Sequence, residues 1–424
     1  MQKGLLLTIG LVYGVMSWGQ GLKPAVPETA GVSSSRLQRI DQVLQEYVDK
    51  HYLAGATALV ARDGKIIYYK SIGYSDAGKH TPLKNDAIYR IASQTKAITS
   101  VAVMMLYEQG KLLLDDAIGK YIPEFKNQQV LDKYNAADTT YTTVPAKRAV
   151  TIRDLLTHSS GIAYAQIGSP ESNAIYYKNG IVGGIGVGKI RLADKMKILG
   201  KMPLFHQPGE RWTYGLNTDL LGYLVEVISG LSLDDYLRKN IFEPLGMKDT
   251  YFYLPAASQN RLVTLHTEDT AGHVKPTHEA MRLNGEVDVD YPLSAGTYYS
   301  GGGGLSSTAM DYSIFLQMLL NGGIYNGKRI LSPVSVRMMT SNQFDKMGWG
   351  DTVMGLGFGV YTKKSESRSP LSEGSYEWGG MFSSSYWVDP KQKIVAQLFI
   401  NQYPNTHGEI HDKFKVLVYQ ALEK

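Results

Sequence analysis

The sequence predicts an α+β fold: an antiparallel sheet drawn from both ends of the chain, flanked by helices, with a mainly helical lobe in the middle. Three observations carry this. Near the N-terminus, two β-rich runs flank Asp63-Gly64 in "ATALVARDGKIIYYKSIGYSD", a strong hairpin signal. The C-terminal third returns to strand-like runs, "GLGFGVYTKK", "SYEWGGMFSSSYWVDP" and "KIVAQLFINQY". Between them, apolar residues recur at helical spacing. The simplest assembly joins the hairpin to the C-terminal strands and packs a terminal helix on the sheet. A cleft is then left between sheet and helical lobe, where ligand sites tend to form.

Taken in order, Lys3 precedes the apolar run Gly4 to Trp18, and Ser17 and Gly19 stand two apart before an expected cut after Gly19. This predicts a signal peptide over residues 1–19 and a mature domain over 20–424, periplasmic or secreted, without stable membrane insertion after cleavage. Ser33 to Tyr52 reads as an amphipathic helix with Leu37, Ile40, Val43, Leu44 and Val48 on one face. After the hairpin, "SQTKAITSVAVMMLYEQG" reads as a helix beginning near Ser93 and capped at Gly110. Region 126–150 is polar and rich in Tyr and Thr and reads as a long loop; region 165–200 reads as irregular and glycine-rich. "VTIRDLLTHSSGI" is a short helix, "TDLLGYLVEVISG" a helix ended by Gly230, and "LDDYLRKNIFEPLGM" a helix stopped at Pro244. "GGGGLSSTAMDYSIFLQMLLNGG" places a flexible loop before a helix, and a last helix covers about His411 to Leu422.

Composition narrows the function classes. With 424 residues and 43% hydrophobic content the chain can build a large core. A net charge of +5 without a dense basic run argues against nucleic-acid binding. There is no cysteine, which excludes thiol catalysis, disulfides and cysteine metal sites. "GGIGVGKI", Gly183 to Ile190, resembles a phosphate loop but has Ile190 where Ser or Thr must hold magnesium. It reads as a loop rimming the cleft. The nine histidines lack ligand spacing, so neither a metal nor another cofactor is expected. His158 reads as structural.

Ser93-Gln94-Thr95-Lys96 raises a catalytic possibility. Residues i and i+3 share a helix face, so Ser93 and Lys96 point the same way. Burial against "AITSVAVMML" disfavours an ammonium, and a neutral amine can take a serine proton. The same pattern also suits a plain N-cap before a buried helix, and this motif alone leaves both readings open.

The wider sequence resembles a known family. "IYRIASQTKAITSVAVMMLYEQGKLLLDD", "TIRDLLTHSSGI", "PGERWTYGLNTDLLGYLVEVISG", "IFEPLGMKDTYF", "GGGGLSSTAMDYSIFLQMLLNGG" and "WGGMFSSSYWVDP" are similar, in that order, to landmarks of the serine β-lactamase and penicillin-binding-protein superfamily. The closest look is to its class C β-lactamase and family VIII carboxylesterase branch, over roughly residues 30 to 424. The resemblance implies a β-lactamase-like fold and Ser93 as nucleophile beside Lys96. It implies Tyr214, after the Pro208-Gly209 turn, as a second base, and an oxyanion hole from the backbone N–H groups of Ser93 and Met381. Such donors supply about 3 kcal/mol each.

Two departures bear on the substrate. Where the lactamase branch often reads Tyr-x-Asn, this chain reads Tyr214-Gly215-Leu216, with Asn217 one place late. The literal matches at Tyr177-Lys178-Asn179 and Tyr403-Pro404-Asn405 lack the turn and helix and read as chance. Where Lys-Thr-Gly or His-Thr-Gly is usual, Trp378-Gly379-Gly380 stands. Leu216, Trp378, Gly379 and Gly380 are therefore expected to contact substrate, and they favour short-acyl esters over carboxylate-bearing lactams. A β-lactamase or D-amino-acid amidase or peptidase is the alternative within the class; a non-catalytic binder of cell-wall fragments is the alternative outside it. Either way the expected partner is a small molecule, with specificity residing in regions 126–150 and 165–200.

Overall fold

A computed structural model describes residues 21–282, 286–348 and 350–423. The expected signal peptide lies outside these residues. The centre is a nine-stranded sheet formed by β1 (Lys23–Pro24), β2 (Gly55–Arg62), β3 (Lys65–Asp76), β4 (Thr81–Pro82), β5 (Thr352–Met354), β6 (Gly359–Tyr361), β7 (Tyr376–Gly380), β8 (Ser384–Asp389) and β9 (Ile394–Phe399). Its order is β1-β3-β2-β9-β8-β7-β6-β5, with β4 paired to β3. All pairs are antiparallel except the short β1 against β3. The expected union of the two chain ends is seen in β2 and β9, which pair from Thr57↔Phe399 to Arg62↔Ile394. The β2–β3 turn places Asp63 and Gly64 at positive φ, as an Asp-Gly hairpin requires.

The sheet is covered on both faces. On one lie α1 (Ser34–Asp49), whose buried face is Leu37, Ile40, Leu44, Tyr47 and Val48, and α6 (Ile410–Tyr419). Ser33 caps α1 by accepting from Arg36 N. On the other face lies the larger core, built on α2 (Thr95–Glu108) and α5 (Ala309–Leu320) together with α3 (Ile152–Leu156) and α4 (Asn217–Ser229) of the helical lobe. α2 buries nearly its whole circumference, which explains its almost unbroken apolar sequence. Gly230 closes α4 in the left-handed conformation, as expected. Among the described residues no helix is long and apolar enough to cross a membrane.

Four expectations need correction. Region 126–150 is not a loop: Gln129–Tyr134 and Tyr141–Pro145 pair as a hairpin, because "YTTVP" alternates β-branched and aromatic residues that suit a pleated, exposed ribbon. Region 165–200 contains helices Pro170–Lys178 and Leu192–Leu199; the first is announced by the Ser169 cap and Pro170. The segment after α4 does not stop at Pro244, which opens a fresh turn, Glu243–Leu245, that ends at left-handed Gly246. The four glycines at 301–304 are fully buried rather than a free loop. Side chains there would collide: a Cβ on Gly301 would lie 2.6 Å from the Thr218 carbonyl oxygen.

Candidate active site

Ser93 lies in a 3-10 turn, Ala92–Gln94, just before α2 rather than in the helix itself. The turn is anchored on several sides. Tyr89–Arg90 pairs with Ser306–Ser307, Ile91 N donates to the Leu305 carbonyl, and Tyr312 Oη donates to the Gln94 carbonyl. Ala92 takes a positive φ of 42°, a strained conformation for a residue with a side chain. The strain precedes the serine and sits where the surrounding hydrogen bonds hold it.

One turn of helix later, Lys96 is only 2% exposed and its ammonium group has three neighbours. Nζ lies 3.1 Å from Ser93 Oγ, 2.9 Å from Tyr164 Oη and 2.6 Å from the Gly302 carbonyl oxygen. Tyr214 Oη donates to Ser93 Oγ at 2.7 Å, and its ring centroid is 4.6 Å from Lys96 Nζ. The structure therefore brings together the three expected residues and adds two that the sequence reading missed, Tyr164 and Gly302. With two N–H bonds given to Tyr164 and Gly302, a neutral Lys96 has its lone pair left for the Ser93 hydroxyl. That is the geometry a general base needs.

Tyr214 is held in an aromatic stack. Its ring is parallel to Trp212 at 5.6 Å, and His158, Tyr164 and Trp378 lie at 5.0, 5.3 and 5.9 Å. His158 is buried behind it, and burial together with the charge of Lys96 holds the imidazole well below its ordinary pKa. Asn217 fixes the tautomer: its amide donates to His158 Nδ1 at 3.0 Å while its carbonyl accepts from Ser160. The amide that stands one place late in the sequence thus faces inward, away from the cleft.

The cleft above Ser93 has a volume of about 450 Å³. Its floor holds Ser93, Tyr164, Tyr214 and Gly302, and one wall is Trp378, Gly379, Gly380 and Met381. β7 comes so close to the nucleophile turn that a Cβ on Gly380 would lie 2.4 Å from the Ile91 carbonyl oxygen. Gln166, Ile167, Gly183, Ile185, Val287 and Tyr403 complete the lining. No Lys, Arg, Asp, Glu or His lines it among the described residues. "GGIGVGKI" is thus part of the rim, packed against the Asp288 backbone at Gly186.

Leu216 is a correction. It is fully buried and absent from the cleft wall. Its backbone N–H is tied to the Ala163 carbonyl, and the side chain goes into the core at the start of α4. The exposed Tyr177 lies outside the cleft, whereas Tyr403, read as chance, lines it. Region 165–200 contributes to the wall and the 129–145 hairpin does not.

Comparison with known proteins identifies a family and a shared fold. The profile of the family described as Beta-lactamase matches residues 40–420. An uncharacterized protein of Mycobacterium tuberculosis is 35% identical, over 85% of this chain and 89% of its own length. Esterase EstB of Burkholderia gladioli is 28% identical, over 91% of this chain and 96% of its own. The solved structure of EstCE1, described as a hydrolase with promiscuous acyltransferase activity, superposes with a TM-score of 0.79 at 26% identity, covering 91% of this chain and 99% of that one.

Proposed function

The chain belongs to the beta-lactamase family of serine hydrolases, and from that premise we propose that it is an exported esterase that cleaves small, neutral esters through an acyl-serine intermediate. The observation that carries the reading is the largely apolar cleft, which no charged side chain lines among the described residues, standing directly over the Ser93–Lys96–Tyr214 cluster.

In this mechanism the ester carbonyl enters between the nucleophile turn and β7. Neutral Lys96 takes the Ser93 proton as Oγ attacks the acyl carbon. The N–H groups of Ser93 and Met381 hold the oxyanion, a preorganised arrangement that favours the transition state over the flat ester. Tyr214, hydrogen-bonded to the Ser93 oxygen, gives its proton to the departing alcohol and regains one from Lys96. Water then attacks the acyl-serine; Tyr214 takes its proton while passing its own to neutral Lys96, and collapse frees the acid as Lys96 returns that proton to Ser93 Oγ.

The substrate preference follows from what the wall contains. A carboxylate-bearing lactam or peptide brings a charge whose burial without a partner is expensive. Trp378-Gly379-Gly380 offers an aromatic face and bare backbone instead of a cation. The apolar wall also supports a second reading of the same intermediate, acyl transfer to an alcohol in place of water; EstCE1 is described as a hydrolase with promiscuous acyltransferase activity. Export rests on the Met1–Gly19 sequence pattern, and N-terminal sequencing of the protein recovered outside the cytoplasm should begin at Gln20.

The test is paired hydrolysis by wild type and Ser93→Ala of a p-nitrophenyl short-chain ester and a chromogenic cephalosporin. Ester turnover that vanishes in the variant, with little cephalosporin turnover, supports the proposal. Fast cephalosporin turnover returns the protein to the lactamase reading. Failure of both, with Ser93 unlabelled by a fluorophosphonate, points to a binding protein.

A further inference from the structure

Behind the three expected catalytic groups lies a carboxylate with no part in the mechanism so far. Asp219 sits in the first turn of α4 and is completely buried. Its Oδ1 accepts from Ser300 Oγ at 2.6 Å. Its Oδ2 lies against Gly302, where a Cβ would come within 2.4 Å of it, and has no hydrogen-bond partner of ordinary geometry among the described residues. Gly184 also lies near, where a Cβ would approach the two carboxylate oxygens to 3.2 and 3.3 Å. The carboxylate is thus pressed onto the backbone segment 300–302, and the carbonyl of Gly302 is the acceptor 2.6 Å from Lys96 Nζ. The adjoining Gly301 carbonyl is fixed by Thr99 Oγ1 at 2.8 Å.

We propose that Asp219 is a positioning residue for Lys96: it pins the 300–302 segment that presents the Gly302 carbonyl, and it supplies the negative charge that balances the lysine when it carries the serine proton. The inference rests on Lys96 acting as the base on Ser93.

The surrounding electrostatics are consistent with this. The titratable groups packed about Lys96 and Asp219 are His158, Tyr164, Tyr214 and Tyr298. Burial, with Lys96, pushes His158 well below its usual pKa, and burial pushes Tyr164 and Tyr298 well above theirs, so these three stay neutral around neutral pH. Burial also raises Asp219 from the ordinary carboxyl value, while Ser300 and the charge of Lys96 oppose the rise. A buried lone carboxylate is costly, and the nearby lysine and the Ser300 hydroxyl offset part of that cost.

Two substitutions separate the two parts of the proposal. Asp219→Asn keeps the size and the acceptor for Ser300 but removes the charge. Ser300→Ala keeps the charge but removes the tether. The readout is the rate of Ser93 labelling by a fluorophosphonate as a function of pH, which needs no knowledge of the natural ester. The neutral amine is the reactive form, so the wild-type rate rises with pH to a plateau. Removing the Asp219 charge makes that form easier to reach. The acid limb of D219N therefore moves to lower pH. S300A lowers the plateau by about 5- to 10-fold, the worth of one buried hydrogen bond, without that downward shift.

Thermal melts establish that each variant is folded. A folded D219N with an unmoved acid limb, whatever its plateau, reduces Asp219 to a structural residue and overturns the proposal. If D219N does not fold, S300A decides: a plateau equal to wild type overturns it. Lys96→Met labelled as fast as wild type at every pH would instead defeat the underlying assignment of Lys96. Lysine-dependent labelling with an unmoved D219N limb defeats only the role given to Asp219.

Discussion

The floor and the rim of the cleft are built on different principles. On the floor, Ser93, Lys96, Tyr164, Tyr214 and the Gly302 carbonyl form a closed set of hydrogen bonds between 2.6 and 3.1 Å. These groups come from four distant parts of the chain, and each is fixed by buried neighbours. The rim presents apolar side chains, Ile167 and Ile185 from connecting segments and Val287 from the short strand Glu286–Val287. A directional network tolerates little displacement, because proton transfer fails when the groups move apart. Apolar contact is non-directional and nearly additive in area, so it can be altered by increments. The contrast teaches that reaction type should be set by the floor and acyl preference by the rim.

Substitutions can break or sharpen that division. Ser93→Ala should have the largest effect: loss of ester turnover by at least about 10³-fold and of the acyl adduct by mass spectrometry, with the fold intact. Tyr214→Phe follows. It keeps the aromatic stack but removes the proton carrier, so kcat should fall about 10²- to 10⁴-fold. Tyr164→Phe deletes one acceptor of Lys96, and kcat should drop about 5- to 10-fold with KM little changed. At the rim, Ile185→Ala should leave kcat for an acetyl ester unaltered and reduce kcat/KM for a longer acyl chain about 2- to 5-fold, a loss near the ~0.8 kcal/mol worth of one methylene. Steady-state kinetics on a series of p-nitrophenyl esters checks the last three. Should Ile185→Ala depress kcat for every ester as strongly as Tyr164→Phe does, rim and floor are not separable.

The same contrast governs what could be read from the sequence. Ser93 and Lys96 are legible because a helix turn joins them, and Tyr214 because a Pro-Gly turn and a helix start mark it locally. The joining of the chain ends in one sheet follows from hairpin and strand patterns. Tyr164 and the Gly302 carbonyl lie 68 and 206 residues from Lys96 and carry no local mark. A run of four glycines was the available signal for the second, since consecutive glycines fit close backbone approach as well as flexibility. Leu216 stands where the Asn of Tyr-x-Asn would, a position that suggests contact with substrate, whereas the chain turns inward there to start α4. Asn217 shows the converse: shifted by one residue, its amide serves His158 and Ser160 instead of a ligand.

The position of β9 in the sheet has a consequence in time. Ile394–Phe399 follows β2 only far along the chain, yet it lies between β2 and β8 and joins the N-terminal hairpin to the strands beside Met381. A chain still short of it holds its serine and lysine but has no continuous sheet to set β7 beside the nucleophile turn. Such long-range closure is slow, because distant segments must meet before any contact rewards the meeting. The serine is thus set beside its wall only when β9 has closed the sheet.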